Sequence, residues 1–362
     1  MAQLIVNIKK LNHNIRFLVH HCNTLGLKIT GILKGPGLDA VIIHEMLSNG
    51  IDNVGFSNLP KENNYTEIFQ KKPVYVSLPS IYEIKNIIRY FDTSFHSEIS
   101  VIRKMNEEAV LQNSSHHIVL MVDTGDLREG VLPEKVIDTV RQIQEIKNLK
   151  LVFSGIGANM GCCAGMIPNE QNLAVLQELA TQIEIKLGLD VQTVSVGGSV
   201  MLDWLKKNKL PDKINQIRLG EAIFIGNIPT VDKKHPDLHD DVLIFRSDIL
   251  ETSEKHVDPI ETCGTDAFGC KPNSGFTGLR KRAILNFGVS NTYPEGLQPL
   301  EDGITIVCVN SNYTVIDFTN SHKHLKPGDF VEFKMNYRSM LQSFISPFTR
   351  VIYQQQADDL KN

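Results

Sequence analysis

Neither charge sign is in surplus, no long apolar stretch occurs, and the cysteines form no paired framework. The 37 basic and 41 acidic residues leave a net charge of −4 over 362 residues. That balance lacks the concentrated positive field that a nucleic acid or an anionic membrane surface would require, so neither is expected as a partner. No apolar run approaches the roughly 18–20 residues that span a bilayer. Residues Met1 to Ile8 show neither a charged n-region nor an apolar stretch with a small-residue cleavage site, so no secretory signal is expected. The six cysteines, at 22, 162, 163, 263, 270 and 308, form no CxxC pair and have no histidine at zinc spacing. No metal site is therefore expected, and the thiols read as reduced, in a cytoplasmic protein. Low-complexity tracts are missing, as is any repeat longer than a strand–helix unit.

What is present is an ordinary globular composition, 42% apolar and 22% charged. A chain of 362 residues exceeds what one core comfortably fills, so a large domain with a smaller companion is expected. Leu4–Ile8 reads as a strand, and Leu11, Ile15, Leu18, Val19 and Cys22 then mark one face of a helix. Strand-like and helix-like stretches alternate from there: Ile29–Leu33 with Ala40–Leu47, Val54–Ser57 with Glu62–Phe69, Val74–Ser77 with Ile81–Tyr90, and Thr93–Phe95 with Ile99–Leu111. The series continues with Ile118–Val122 and Glu134–Ile146, Leu151–Ser154 and Asn169–Leu187, Thr193–Val196 and Met201–Lys207, and closes on Ile214–Arg218. The apolar runs are nearly continuous, as strands buried on both faces require. About eight strands beyond the first, with no glycine fingerprint after the opening strand, predict an α/β fold: a (β/α)₈ TIM-type barrel over residues 1–231.

From Asp232 the pattern changes to short β-like runs, Val242–Phe245, Arg282–Phe287, Ile304–Val309, Thr314–Phe318 and Phe330–Met335, separated by Gly, Pro and Asn. A smaller C-terminal β-rich domain without a helix of any length is expected over 232–362.

In such a barrel, chemistry collects just past the C-terminal ends of the strands. Reading those positions gives Lys34 before Gly35-Pro36-Gly37, the stretch Asp123 to Arg128, Ser154 to Asn159, Gly197-Gly198-Ser199, and Arg218-Leu219-Gly220-Glu221. Singly, each has an ordinary structural reading: a solvated lysine, a tight glycine turn, an arginine in an ion pair. Together on one rim they suit a phosphate-bearing aldehyde. A lysine there can form a Schiff base, and desolvation favours its free amine. Backbone N–H groups of Gly-Gly-Ser and Gly220 can meet a phosphate. An arginine facing a pyridine nitrogen would keep it unprotonated and favour rapid reprotonation of the substrate carbon.

On these residues the chain resembles the alanine-racemase fold type of pyridoxal-phosphate (PLP) enzymes, and within it the alanine/ornithine-racemase-like branch. Lys34 looks like the PLP lysine. Val122-Asp123-Thr124-Gly125-Asp126-Leu127-Arg128 matches V-D-T-G-x-x-R, whose arginine approaches substrate carboxylate and cofactor. Ser199 resembles the phosphate serine, and Arg218-Leu219-Gly220 the R-x-G segment whose arginine faces the pyridine nitrogen. Ser154 to Asn159 with Cys162, and Gly165 to Pro168, resemble the ornithine-racemase branch; Tyr337 resembles a C-terminal tyrosine that reaches the phosphate.

The resemblance implies PLP held by Lys34, Asn159, Ser199, Arg218, Gly220, Glu221 and Tyr337, with Arg128 on the substrate. It also implies a racemase acting on a small or basic amino acid of the ornithine/alanine type, and a head-to-tail homodimer in which one β domain completes the partner's barrel mouth. Racemisation needs a proton carrier on each face of the bound amino acid. Lys34 serves one face, and Tyr313, with Tyr293 behind it, is the candidate for the other. The chain departs from the family at several points. Gly35-Pro36-Gly37-Leu38-Asp39 replaces the tyrosine-containing segment after the lysine. Val289 stands where the opposing tyrosine is expected, and Asn291 and Asn312-Tyr313 stand where the ornithine-like branch tends to have Asp and Asp-His. A PLP decarboxylase or lyase, and a PLP-binding protein without catalysis, are the alternatives. A metal-dependent D-amino-acid aldolase is disfavoured because no His/Cys/Asp cluster stands out near the C-terminus. The Cys162-Cys163 pair reads as packing, since buried free cysteines are common.

Overall fold

Eight short parallel strands close on themselves in the computed structural model, which describes residues 1–59, 69, 71–231, 233–258, 264–266, 268–269 and 275–355. After β1 (Gln3–Asn7) the barrel strands are β2 (Lys28–Ile32), β3 (Asn53–Phe56), β4 (Val74–Tyr75), β5 (Thr93–His96), β6 (His116–Met121), β7 (Leu151–Ala158), β8 (Thr193–Gly197) and β9 (Gln216–Leu219). Each pairs with its successor in parallel, and β9 returns to β2 with Gln216 opposite Lys28. This is the expected (β/α)₈ barrel. Its interior is filled by inward side chains such as Val74, Phe95, Val119 and Met121, a packed core rather than a pore. The helix expected over Glu62–Phe69 falls on residues outside those described, apart from Phe69.

β7 runs four residues further than its sequence suggests, so Gly155 to Ala158 are strand and not loop. A bulge explains this: Ile118 pairs with Phe153 but Val119 pairs with Gly155, which leaves Ser154 over. Only glycine fits at the bulge, because Gly155 has φ +148° and a Cβ there would sit 1.9 Å from the carbonyl oxygen of Thr193.

The chain divides into two compact units, Asn12–His239 and Met1–Leu11 with Asp240–Asn362. The division therefore falls later than the expected 231/232, and the first eleven residues go with the second unit. The reason is strand pairing. β1 lies antiparallel to the strand Leu243–His256 and parallel to Arg350–Gln354, completing an eight-stranded sheet. Phe245, Phe287 and Phe333 meet beneath it with ring centroids 4.9–6.4 Å apart.

This unit also contains a helix that was not expected, Tyr337–Ile345, capped by Asn336, whose Oδ1 accepts from the Ser339 backbone N–H at 2.9 Å. Its buried face includes hydroxyls: Ser339 Oγ donates to the Tyr293 carbonyl at 2.7 Å and Ser343 Oγ to Thr292 Oγ1 at 2.8 Å. A partly polar buried face carries no apolar period to read. Among the described residues, no helix is long and apolar enough to cross a membrane.

Candidate active site at the strand ends of the barrel

Lys34 is the second residue beyond β2; the N–H of Leu33 still bonds the Gly55 carbonyl at 2.9 Å. A turn closes behind it, from the Gly37 N–H to the Leu33 carbonyl at 3.1 Å, and Asp39 caps the helix Ala40–Ser48 by accepting from the Ile42 N–H at 3.0 Å. Among the described residues, none forms a hydrogen bond or ion pair with the Lys34 ammonium. Its surface stays open at the mouth, yet protein atoms crowd it on most sides, and that crowding governs its solvation. Desolvation lowers its pKa; the Cys162 thiol and Glu129 oppose the shift, and the positive charges of Arg128 and Arg218 reinforce it.

Arg218, on β9, is buried in the barrel and points across its interior. NH1 donates to Ser195 Oγ at 2.6 Å, and NH2 to the Ala158 carbonyl and to Asn159 Oδ1, both at 2.7 Å. Its guanidinium lies 5.0 Å over the Phe95 ring. Desolvation pulls its pKa down to about 10, with Glu129 opposing and Arg128 adding to the shift, so it stays cationic at neutral pH. Gly197 makes room for this fork: a Cβ there would lie 2.7 Å from both Arg218 NH2 and Asn159 Oδ1.

Ser199 follows on the same loop, buried, with its Oγ accepting from the Ala222 N–H at 3.0 Å. Gly220 precedes the short helix Glu221–Ile225, and Glu221 accepts from Asn227 Nδ2 at 2.8 Å. Burial raises the Glu221 carboxyl pKa, and the Asn227 bond opposes that.

The loop from 122 to 131 is closed at its base by a bridge between Val122 and Val131. On it, Arg128 NH2 donates to Glu129 Oε1 at 2.6 Å, its Nε pairs with Glu129 Oε2, and NH1 donates to Cys162 Sγ at 3.0 Å. Asn159 Nδ2 donates to Glu129 Oε1. Asp126, buried, accepts from the N–H groups of Cys162 and Cys163 at 2.9 and 3.2 Å and so joins the two loops. Cys162 and Cys163 are exposed free thiols and not the buried packing pair expected, because their loop lies on the surface with its backbone tied to Asp126.

Lys34, Arg128, Asn159 and Arg218 are thus gathered in one mouth, with Ser199, Gly220 and Glu221 on the adjoining β8 and β9 loops. Glu129, Asp126 and Ser195 belong to the same network; Asp126 lies within the Asp123–Arg128 stretch read from the sequence, whereas Glu129 and Ser195 escaped it. Glu129 looks like a solvated loop charge beside Arg128, in a loop where Gly125, Leu127 and Gly130 all take positive φ. The three tyrosines lie in the other unit. Tyr313 is exposed in the turn before the strand Thr314–Asp317, with its N–H on Asn310 Oδ1 at 2.7 Å. Tyr293 lies under the Arg338 guanidinium at 4.0 Å, and Tyr337 opens its helix. Asn291 is buried in turn bonding, accepting from the Gly288 N–H at 3.1 Å and donating to the Phe348 carbonyl at 3.0 Å. Among the described residues, no group of three or more His, Cys, Asp or Glu is placed to hold a metal ion. A recess of about 480 Å³ between the outer helices Val136–Gln144 and Glu170–Leu187 shares no residue with the mouth.

Residues 6–228 match the family model described as alanine racemase, N-terminal domain. The chain is 30% identical over 347 residues to the ornithine racemase of Acetoanaerobium sticklandii, covering 96% of this chain and 98% of that one. It is 29% identical over 353 residues to the lysine racemase of Thermotoga maritima, covering 97% and 98%. A solved alanine racemase from Bartonella henselae with covalently bound pyridoxal phosphate shares the fold, at TM-score 0.72 and 14% identity over 98% of this chain and 99% of that one. With its barrel matched to the family model and its full length to these relatives, the chain belongs to the alanine racemase family and is an amino-acid racemase.

Proposed function

We propose that the enzyme is a PLP-dependent racemase of a basic amino acid, with Lys34 carrying the cofactor. The carrying observation is Lys34 itself: a desolvated lysine at a barrel strand end, without a hydrogen-bonding or ionic partner among the described residues, beside two arginines. The remaining residues fit the group. Arg218 is a cationic donor that would stand at the pyridine nitrogen. Ser199, the backbone at Gly220 and Tyr337 would hold the phosphate, and Asn159 and Glu221 would line the cofactor. The names of the two full-length relatives, ornithine and lysine racemase, support a basic substrate over a small apolar one.

Pyridoxal phosphate held in this mouth would supply an electron sink that makes the α-hydrogen of an amino-acid substrate acidic. The lowered pKa of Lys34 keeps a fraction of its amine free to take or return that proton on one face. Arg128, with NH1 directed toward Cys162 and away from Glu129, would bind the substrate carboxylate. Arg218 cannot surrender a proton at neutral pH, so it fixes charge and does not shuttle it. The second proton carrier is assigned to Tyr313, with Tyr293 behind it, supplied by the β domain of the other subunit of a head-to-tail homodimer. Four described cysteines are free thiols, which supports a cytoplasmic location.

The test is chiral chromatography of ornithine, lysine, arginine, alanine and serine after incubation with enzyme and PLP, paired with borohydride reduction and peptide mapping. Racemisation fastest for ornithine or lysine, with the reduced cofactor on the Lys34 peptide, is expected. Label on another lysine would refute the cofactor assignment, and preference for alanine or serine would refute the substrate class.

A further inference from the structure

We propose that Glu129 is a positioning residue that joins the two arginines of the mouth, holding Arg128 directly and Arg218 through the Asn159 amide. This rests on the reading of Lys34, Arg128 and Arg218 given under the proposed function. The chain of bonds is continuous. Glu129 Oε2 pairs with Arg128 Nε, and Oε1 accepts from Arg128 NH2 at 2.6 Å and from Asn159 Nδ2. Asn159 Oδ1 accepts from Arg218 NH2 at 2.7 Å, and Arg218 NH1 continues to Ser195 Oγ at 2.6 Å. The amide orientation is determined by its neighbours, since only Nδ2 can donate to a carboxylate and only Oδ1 can accept from a guanidinium.

A solvated surface glutamate would not look like this. The Glu129 side chain is only 14% exposed, against 35% for Arg128. Its two oxygens occupy the Nε/NH2 edge of the Arg128 fork, the bidentate arrangement that fixes a guanidinium plane. The NH1 edge is left to face Cys162 and the mouth, so Glu129 decides which edge of Arg128 is offered to a carboxylate ligand. The same side chain is the counter-charge of the mouth. Lys34 feels Cys162, Arg128, Glu129 and Arg218, and Glu129 offsets the two guanidiniums that disfavour its ammonium. Asp126, 4.0 Å from Arg128 Nε, is committed to the Cys162 and Cys163 N–H groups through its other oxygen.

Glu129→Gln keeps the shape but has one acceptor where two are needed, so at least one donor of Arg128 or Asn159 loses its partner. It also removes a negative charge near Lys34, which disfavours the ammonium and lowers the lysine pKa further. Glu129→Asp keeps the charge and shortens the reach. The experiment follows the pH dependence of Lys34 acylation by peptide mass spectrometry after any bound PLP has been removed, and separately measures KM and kcat for the racemised amino acid with PLP restored. In Glu129→Gln the acylation midpoint should fall by about 0.5–1 pH unit, the scale of one partly screened charge, and KM should rise about tenfold with a smaller change in kcat. In Glu129→Asp the midpoint should stay near the parent value while KM still rises. A parent-like midpoint and KM in Glu129→Gln would overturn the proposal. Should that variant not fold, Asn159→Ala cuts the link to Arg218 alone: a several-fold rise in KM with an unmoved midpoint supports the coupling, and a parent KM overturns it. Failure of the cofactor reading appears separately, as borohydride label absent from Lys34 in the unmutated enzyme, while the acylation midpoint still reports on Glu129.

Discussion

Replacing Arg218 by leucine is expected to destabilise the barrel by about 2–4 kcal/mol, even though it removes a buried charge. Two effects oppose each other. Holding a guanidinium out of water costs several kcal/mol, which an apolar side chain would recover. Against that, the side chain satisfies Ser195 Oγ, the Ala158 carbonyl and Asn159 Oδ1 at 2.6–2.7 Å. Ser195 and Ala158 are fully buried, and each orphaned buried group costs roughly 1–3 kcal/mol. Asn159 is half-buried and can turn toward water at small cost. The contact with the Phe95 ring, worth about 0.5–1 kcal/mol, is also lost, and leucine is too short to fill the vacated space. Two orphans and a void outweigh the recovered desolvation, since the charge was already stabilised by three oxygens. Urea unfolding followed by circular dichroism measures the difference, and calorimetry separates the transitions of the two units. A variant as stable as the parent, or more so, would refute the reasoning and show that the fold holds Arg218 at a net cost for the sake of the site.

Three further outcomes are expected. Gly197→Ala places a methyl 2.7 Å from Arg218 NH2 and Asn159 Oδ1; stability should fall by about 1–3 kcal/mol and kcat/KM by tenfold or more, and parent values of both would contradict the close approach. In the β unit, burial acts to raise the Asp317 carboxyl, but bonds from Arg280 and Thr319 prevail and hold it below the usual carboxylate range. A folded-state pKa below the unfolded value, about 3.9, stabilises fully above roughly pH 4 and loses the contribution as pH falls through the lower value. Asp317→Asn should therefore cost stability at pH 7 and flatten the acid limb in pH-dependent thermal melts. Guanidiniums rather than deep packing close the surface of Asp317, which sets the loss near the low end for a buried pair, about 3 kcal/mol. Tyr313→Phe should lower racemisation by roughly 100-fold, the scale of a lost acid–base partner, with PLP retained and solvent deuterium entering the product of only one enantiomer; full activity in both directions, in this variant and in Tyr293→Phe, would remove the tyrosines from the mechanism.

Local chemistry alone made the barrel legible. Strands buried on both faces must be nearly continuously apolar, so Ile29–Leu33 and Ile118–Val122 announce themselves without any knowledge of their neighbours. The positions that follow them must lie on one rim, and for that reason Lys34, Arg128, Ser199 and Arg218 could be picked out as a set. What the sequence could not carry was pairing across distance. Gln3–Asn7 is as apolar as a barrel strand, and only its register with Leu243–His256 and Arg350–Gln354 puts it in the sheet. The helix Tyr337–Ile345 hides behind a buried face that bonds through serine hydroxyls.

The same limit applies at the site. Residue identity and rim position name the arginines, because a strand-end cation is a property of the local sequence. Their partners are different: Ser195 lies 23 residues before Arg218 and Asn159 lies 59 before it. Those bonds exist because closure of the barrel brings β7, β8 and β9 side by side in unbroken parallel register. Sequence by itself determined which groups are available for the chemistry; tertiary structure decided which of them share a proton, a charge or a bond, since hydrogen bonds are short-ranged and depend on distances that no linear pattern encodes.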